Sequence, residues 1–356
     1  MMGNVWTRAM ALTTPEQDRA LFLKDMGVTA MALTAATFLL TVLLLRFIIP
    51  VLRAKKIGQS IREEGPSWHQ SKAGTPTMGG IGFIMAILIV LAVFAVIVSV
   101  VPSFSNVGFQ LIPLALALCL GVAHAMIGFV DDYCKLLKKQ NEGLTAIQKF
   151  LLQVFVTAAY LILMRCTGHL ETALYIPFAG VSLELGWVAY VVYLLVIVGF
   201  VNSTNLTDGL DGLASCVCAV VCGFMILTAF RMQSPELSAL SCTLLGGMLG
   251  FLVYNHHPAK VFMGDTGSLF LGGIIMGGAI MTGQLLVFVL AGLVFVIEML
   301  SSLLQITFFK LTHGKRIFKM APLHHHFEKC GLNEVQIVAL FAGVSVLFCV
   351  AAWFGL

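Results

Sequence analysis

Charged residues are scarce in this chain of 356 residues: only 11% are Asp, Glu, Lys or Arg, whereas 59% are hydrophobic. A soluble domain carries about 25% charged residues, so the composition excludes an ordinary soluble protein. The apolar runs are about 20 residues long, which is the length that a helix needs to cross a bilayer. They lack the alternation that is typical of membrane-barrel strands. The sequence therefore predicts an all-α polytopic membrane protein that forms a single domain over residues 1–356.

Several nucleotide and metal motifs are also missing. The chain has no G-x-x-x-x-G-K-[ST] and no G-x-G-x-x-G, so neither ATP hydrolysis nor a dinucleotide cofactor is indicated. The nine cysteines are scattered, mostly inside apolar runs, and none forms a CxxC pair. We expect them to be small core residues, not disulfide partners or zinc ligands. Nucleic acid is not an expected partner.

Ten hydrophobic spans are predicted, at about 27–50, 78–101, 110–130, 148–165, 187–203, 212–230, 237–254, 267–282, 285–309 and 334–355. An even number of spans places both termini on the same side of the membrane. Most Lys and Arg residues fall in one set of connections, which the excess of positive charge marks as cytoplasmic. Both termini are therefore expected to be external. On the external side, residues 174–185 alternate around an Ala-Gly turn, which favours a short β-hairpin.

The polar segments all fall on the predicted cytoplasmic side, in residues 51–77, 131–147, 202–211, 255–266 and 310–333. Inside the spans, His124 and Glu298 are the ionisable residues that stand out. A buried charge in a membrane needs a partner or a water-filled cavity. We expect His124 to pack in the core and Glu298 to have a structural role. The candidate chemistry is therefore predicted at the cytoplasmic ends of the spans.

The stretch Asn202-Ser-Thr-Asn-Leu-Thr-Asp-Gly-Leu-Asp-Gly-Leu213 lies between two apolar runs. It is too polar for hydrocarbon, so we expect it where two membrane helices meet water. Its carboxylates suit Mg²⁺, and its glycines allow the backbone to approach an anion. The N-terminus of the following helix offers free N–H groups to phosphate. Helix capping by Asn and Asp is the alternative, but it accounts for only one or two of these residues.

Three further carboxylates lie at predicted span ends. Asp131 and Asp132 directly follow the third span, and adjacent carboxylates at a low-dielectric boundary are hard to ionise together without a cation. At a helix C-terminus they would also oppose the macrodipole, so Mg²⁺ binding or proton transfer is favoured over a solvated helix end. Asp265 lies between glycines where the eighth span begins. It fits a site facing phosphate and an ordinary N-cap equally well.

The segment Pro322-Leu-His-His-His-Phe-Glu328 is an internal histidine cluster. Three consecutive histidines cannot all reach one ion from one face of the backbone, so a zinc site is not expected. At neutral pH they suit hydrogen bonds to phosphate. With Lys315, Arg316 and Lys319 upstream, this loop is a candidate cradle for a nucleotide diphosphate; a solvated basic loop is the alternative for those cations. Gln305, seven residues after Glu298, is a candidate substrate contact.

Together these segments resemble the polyprenyl-phosphate N-acetylhexosamine-1-phosphate transferase superfamily, in matching order from Gly65 to Glu328. The superfamily features are Asp131-Asp132-Tyr133, Asn202-x-x-Asn205-Leu-Thr-Asp208-Gly-Leu-Asp211-Gly212 and Gly264-Asp265-x-Gly-Ser268. The stretch Lys72-x-Gly-Thr-Pro-Thr-Met-Gly-Gly80 and the histidine cluster narrow the resemblance to one bacterial cell-wall branch, the phospho-N-acetylmuramoyl-pentapeptide transferases.

The resemblance implies a reaction at the cytoplasmic face of the bacterial inner (plasma) membrane. Phospho-MurNAc-pentapeptide would pass from UDP-MurNAc-pentapeptide to undecaprenyl phosphate, giving lipid I and UMP in peptidoglycan synthesis. It implies Mg²⁺ held by Asp265, while Asp131 orients or deprotonates the lipid phosphate. Asp132 and His324 complete the implied catalytic set. A covalent route, with Asp265 as the nucleophile, is the rival mechanism.

The resemblance also implies a set of substrate-binding residues: Lys72, Lys135, Lys149, Asn202, Asn205, Asp208, Gly209, Leu210, Asp211, Asn255, Phe262, Gln305, His325 and His326. Phe262 is the expected stacking face for uracil. Membrane lipid is an expected partner, and the sequence leaves a homodimer open. The alternatives are transfer from UDP-N-acetylglucosamine, an inactive scaffold, and secondary transport. Transport is disfavoured because the acidic residues collect at span ends and no repeat is evident.

Overall fold

The structure is a computed structural model that describes residues 15–54, 74–100, 109–138 and 143–356. Within these residues the chain forms twelve helices and one two-stranded sheet. The elements are α1 (Pro15–Ala54), α2 (Gly80–Val100), α3 (Leu111–Lys138), α4 (Ala146–Cys166), β1 (Ala173–Ile176), β2 (Val181–Glu184), α5 (Val188–Thr207), α6 (Leu213–Met232), α7 (Pro235–Asn255), α8 (Gly264–Met281), α9 (Leu285–Ala291), α10 (Leu293–Leu311), α11 (Leu323–Lys329) and α12 (Glu334–Phe354).

In the part of the chain that the structure describes, ten helices are long and apolar enough to cross a membrane. The first crossing is Met26–Ala54 within α1, and the last is α12. The predicted all-α polytopic fold is therefore confirmed, and the protein is a multi-pass membrane protein. The direction of the bundle across the membrane, with both termini external, stays a prediction from the distribution of positive charge.

The predicted ends of two spans were wrong, because polar residues continue the helices. Helix α3 runs on to Lys138 and includes Asp131 and Asp132. An ion pair of 2.6 Å between Asp131 and Lys135, one turn apart, supports this extension. These carboxylates thus lie about two turns before the helix end, so the expected conflict with the macrodipole does not arise there. In the same way, α5 continues through Asn202 to Thr207.

The predicted ninth span, residues 285–309, is two helices in the structure. Helix α9 ends and α10 begins at Gly292. A Cβ at Gly292 would lie only 2.5 Å from the ring of Phe200, so glycine permits a close approach of α5 at this break. The segment 310–333, predicted as a loop, contains the helix α11, so the histidine cluster is helical.

The predicted β-hairpin is confirmed, and its external location stays a prediction. Strands β1 and β2 pair in antiparallel register, with Leu174 opposite Leu183, and residues 177–180 form the turn. The hydroxyl of Tyr193 in α5 donates to the carbonyl of Glu171 at 3.1 Å, which ties the hairpin to the bundle.

Helix α8 is the centre of the bundle, since 83% of its span is buried. Its glycines allow neighbouring helices to approach closely: Gly272 packs against Val201 of α5, and Gly273 packs against Gly121 of α3. This confirms the predicted role of the glycine-rich span in helix packing. The same packing brings the first turn of α8, with Asp265, against the polar ends of α3 and α5.

Candidate active site

Three carboxylates meet where α3 and α8 cross. Asp131 and Asp132 come from the last part of α3, and Asp265 comes from the first turn of α8. One oxygen from each lies within 4.8 Å of the others. Gly128 makes this approach possible, because a Cβ there would collide with the backbone of Asp265. Residues distant in sequence are thus assembled into one acidic cluster, which we call the carboxylate cluster.

Two lysines from different helices balance most of this charge. Lys149 in α4 places its Nζ 2.7 Å from Asp265 Oδ2. Lys135 in α3 places its Nζ 2.6 Å from Asp131 Oδ2 and 3.2 Å from Asp265 Oδ2. Three carboxylates and two ammonium groups leave one formal negative charge. Because both lysines approach the same oxygen of Asp265, this carboxylate is the electrostatic centre of the cluster.

Local sequence signals fix the groups around Asp265. Thr145 and Gln148 form a capping box that begins α4 and sets the position of Lys149 in its first turn. Asn205 in α5 donates to Asp265 Oδ1 at 3.0 Å and to the Ser268 hydroxyl at 2.8 Å. The Asn205 carbonyl oxygen accepts from Lys149 at 3.1 Å. Both oxygens of Asp265 are therefore oriented by neighbours from three other helices.

Asp132 acts as a cap for α8. Its Oδ1 accepts from the backbone N–H of Asp265 at 3.2 Å. Its Oδ2 accepts from the backbone N–H of Thr266 at 3.0 Å and from the Thr266 hydroxyl at 2.7 Å. Of the two readings of this helix end, a site facing phosphate and an ordinary cap, the structure shows a capped end, in which two backbone N–H groups bind Asp132. Asp131, in turn, accepts from the backbone N–H of Leu144 at 2.7 Å.

A second polar group forms at the turn between α5 and α6. Asn255, at the end of α7, accepts from the Gly212 backbone N–H at 3.1 Å and from the Ser215 hydroxyl at 3.0 Å. Asp211 accepts from the backbone N–H of Ala259 at 3.0 Å, and His257 Nδ1 lies 3.1 Å from the same Asp211 oxygen. The expectation that the α6 N-terminus offers free N–H groups is therefore wrong for Gly212.

Asp208 and Gly209 lie at the tip of this turn. Burial raises the pKa of Asp208 well above its usual range, and the negative charges of Asp265, Asp132 and Asp211 raise this pKa further. Gly209 is exposed, whereas Leu210 is 4% exposed and packs inside. The turn thus presents a carboxyl group and bare backbone beside the carboxylate cluster.

The three histidines of α11 point to different partners. His324 Nδ1 lies 2.7 Å from Glu298 of α10. His325 Nδ1 lies 2.6 Å from Glu328. His326 Nδ1 accepts from the backbone N–H of Lys319 at 3.1 Å. The Nδ1 atoms of the three side chains thus make separate contacts.

Several of the other predicted site residues make structural contacts. Gln305 holds the chain after α10, because its side-chain oxygen accepts from the backbone N–H groups of Ile317 and Phe318. Asn202 pairs with Gln153 of α4 at 2.7 Å. Phe262 is half-buried, and its backbone pairs with the segment at Pro76 and Gly79. The predicted substrate contacts of these residues stay predictions.

Lys72 lies outside the described residues. Of the three cations upstream of the histidine cluster, Lys319 donates to the Lys329 carbonyl at 3.1 Å, and Arg316 lies over the Phe309 ring at 5.8 Å.

Sequence reasoning missed the link between Glu298 and His324, although an ionisable residue in a span was a signal that Glu298 needs a partner. It also missed the capping role of Asp132, which only the packing of α3 on α8 creates.

Comparison with known proteins agrees with this architecture. The family described as Glycosyl transferase family 4 matches residues 114–283. A phospho-N-acetylmuramoyl-pentapeptide-transferase from Staphylococcus carnosus is 44% identical over 326 residues, which cover 91% of this chain and 98% of the relative. Proteins of the same name from Listeria monocytogenes and Geobacillus thermodenitrificans are 43% and 45% identical, over 88% of this chain and 94% of each relative. The chain belongs to the phospho-N-acetylmuramoyl-pentapeptide-transferase family.

As a member of this family, the protein is a transferase enzyme. The matched residues 114–283 contain the whole carboxylate cluster, but they end before α10 and α11. The carboxylate cluster fits a magnesium ion, because carboxylate oxygens are the hard ligands that Mg²⁺ prefers. The formal negative charge that the lysines leave also favours a cation. Asp265 is the carboxylate of this cluster that contacts both lysines, and Lys135 bridges it to Asp131.

Proposed function

We propose that the protein transfers phospho-MurNAc-pentapeptide from UDP-MurNAc-pentapeptide to undecaprenyl phosphate, and thereby forms lipid I and UMP for peptidoglycan synthesis. The reaction takes place at the cytoplasmic face of the bacterial inner membrane. The observation that carries this proposal is the carboxylate cluster with its two lysines at the polar end of the bundle. Family membership supplies the substrate class, because the relatives are named for this transfer.

The reaction exchanges one phosphoanhydride for another. An oxygen of the lipid phosphate attacks the phosphorus that carries the sugar, and the bond from that phosphorus to the UMP oxygen breaks. A phosphate monoester has a second pKa of about 6, so the acceptor is mostly dianionic at neutral pH. Proton removal by Asp131 therefore contributes less than positioning of the two phosphates. No ATP is required, in agreement with the missing ATP motifs.

Each residue of the carboxylate cluster has a different role in this proposal. Lys135 and Lys149 bind phosphate oxygens, and Asp131 orients the lipid phosphate. Mg²⁺, when bound at Asp265, supplies charge neutralisation of the diphosphate and of the departing UMP. Asp132 keeps Asp265 in place through the first turn of α8. In the covalent rival Asp265 would attack phosphorus, and its oxygens, which contact Lys135, Lys149 and Asn205, would first have to leave these partners, as they would to bind Mg²⁺.

The nucleotide would bind between the α5–α6 turn and the segment after α7. Asp208 and Asp211 lie on one side of this region, and Phe262 offers an aromatic face for uracil on the other. By the resemblance, His325 of α11 would line the nucleotide pocket, and His324 and His326 would lie near the diphosphate. Lys72 belongs to the same proposed set.

The acceptor would arrive sideways from the bilayer. An apolar groove runs along α10 and reaches Leu323, the residue before His324. Its lining is almost entirely hydrophobic: Ile297, Leu300, Ser301, Leu303, Leu304, Thr307, Phe318 and Leu323. A polyprenyl chain in this groove would place its phosphate at the polar end of the bundle.

The decisive experiment is UMP release by the purified protein in detergent, with UDP-MurNAc-pentapeptide and undecaprenyl phosphate, in Mg²⁺ or in EDTA. Release should require the lipid and Mg²⁺ and should be lost in Asp265→Ala. Glu236→Gln is a matched control, because Glu236 is also buried but begins α7 at the opposite end of the bundle. Release from UDP-N-acetylglucosamine alone would indicate the sister reaction. No turnover by folded protein would favour a scaffold.

The two mechanisms can be separated with the same protein. A donor with a labelled sugar phosphate, incubated without the lipid, should leave no label on the protein if attack is direct. Label that is retained in wild type but absent in Asp265→Asn would establish the covalent route.

A further inference from the structure

Glu298, which has no role in the steps described above, forms a buried pair with His324. His324 Nδ1 lies 2.7 Å from Glu298 Oε2, and the His324 backbone N–H donates to Glu298 Oε1 at 3.2 Å. Glu298 is fully buried, and His324 is 1% exposed. An ionised carboxylate can only accept hydrogen bonds, so Nδ1 of His324 must carry a proton. The pair thus fixes both the ring orientation and the protonated nitrogen.

The other ring nitrogen of His324 is buried and has no hydrogen-bond partner among the described residues. It faces Gly209 at the α5–α6 turn, where an added Cβ would collide with this nitrogen. Gly209 is exposed at the tip of this turn and follows Asp208. A buried polar atom without a partner is costly, so a ligand atom that reached this nitrogen at the Gly209 turn would stabilise it.

We propose that Glu298 is a positioning residue that holds His324 as a cation, with Nε2–H directed past Gly209 to an anionic oxygen of the nucleotide donor. A buried carboxylate is stable only beside a compensating charge, which favours the imidazolium form of the histidine. A charged donor then forms a charge-assisted hydrogen bond to the diphosphate. The identity of the ligand in this inference rests on the proposed function. The protonation of the Glu298–His324 pair does not.

The remaining charges near His324 do not duplicate this role. The His325 ring lies 4.2 Å from the His324 ring, but its Nδ1 is 2.6 Å from Glu328. The titratable groups of the neighbouring elements are His325 and Glu328 on α11, Glu298 on α10, Asp208 beyond the end of α5, and Glu334 at the start of α12. Among them, Glu298 hydrogen-bonds to His324 through both of its carboxylate oxygens.

The first test is histidine ¹⁵N NMR of the substrate-free protein in detergent, with the His324 signal assigned by comparison with His324→Gln. Wild type should show protons on both ring nitrogens at neutral pH. In Glu298→Gln the signal of the doubly protonated ring should be weakened or lost at the same pH, because an opposite charge has been removed. A deprotonated Nδ1 in folded wild type would overturn the proposal, whatever the variants do.

The second test is a double-mutant cycle in the UMP-release assay. Glu298→Gln should lower kcat/KM by about 10- to 100-fold, the equivalent of one charge-assisted hydrogen bond. In the His324→Gln background the same change should have no further effect, since Glu298 acts through the histidine. Losses that multiply would show that Glu298 acts elsewhere, and would overturn the proposal. Glu236→Gln should leave kcat/KM unchanged and controls for the loss of a buried carboxylate.

The two tests separate this inference from the proposed function. Wild-type turnover with an unchanged Glu298→Gln variant would overturn the role of Glu298 and leave the reaction standing. Absence of turnover in wild type would overturn the reaction, while the NMR would still report the protonation of His324.

Discussion

Asp132 provides a test of how the site is built, because its carboxylate caps α8 while it also belongs to the carboxylate cluster. Asp132→Ala removes the acceptor of three hydrogen bonds, from the Asp265 and Thr266 backbone and from the Thr266 hydroxyl. Bonds to a charged acceptor contribute about 1.5–3 kcal/mol each, but losses within one network overlap, so we expect a destabilisation of about 3–4 kcal/mol. Asp132→Asn keeps one acceptor oxygen and should lose about half of this.

The assay is the apparent Tm of each purified variant in detergent, measured beside UMP release at a temperature where all variants are folded. Activity should fall in both variants, because the first turn of α8 carries Asp265. Asp131→Asn is the matched control, since Asp131 accepts a single backbone hydrogen bond, from Leu144. Wild-type stability with abolished activity in Asp132→Asn and Asp132→Ala would refute the capping role. It would mean that this carboxylate acts on the reactants.

Other contacts of the site lead to further expected outcomes. Lys149→Gln removes the ammonium group 2.7 Å from Asp265, so kcat/KM should fall by about 10-fold or more, chiefly through KM for the donor. Gly128→Ala drives a methyl group into the Asp265 backbone, so stability should fall by about 1–3 kcal/mol in thermal unfolding. Because the pKa of Asp208 is raised, wild type loses stability as pH rises through that pKa. Asp208→Asn should therefore gain apparent Tm relative to wild type as pH rises above about 4.

Control variants and control measurements test whether each of these effects has the stated cause. Lys149→Arg keeps the positive charge and should restore part of the donor affinity. Gly223→Ala lies in α6, where an added Cβ meets no atom within 4 Å, and should keep both stability and activity. A Tm difference between Asp208→Asn and wild type that does not change with pH would contradict the burial of a charged Asp208.

Hydropathy along the sequence determined the ten-helix architecture. The long apolar runs predicted ten membrane helices, and alternation around Ala179-Gly180 predicted the hairpin. These features are local: a helix in a bilayer must satisfy its own backbone hydrogen bonds, so its length can be read from consecutive residues. The same local reading misplaced the end of α3, because the Asp131–Lys135 ion pair continues the helix beyond its apolar part.

The polar motifs identified the candidate residues, but not which of them contact one another. Asp132 and Thr266 are 134 residues apart in sequence, and their hydrogen bond exists only because Gly128 and the glycines of α8 let two helices approach closely. The break at Gly292 likewise depends on the ring of Phe200 from another helix. Composition and spacing show which chemical groups the chain contains and where they lie along it. Which oxygen each donor reaches is decided by helix packing, since those distances depend on contacts between residues far apart in the chain.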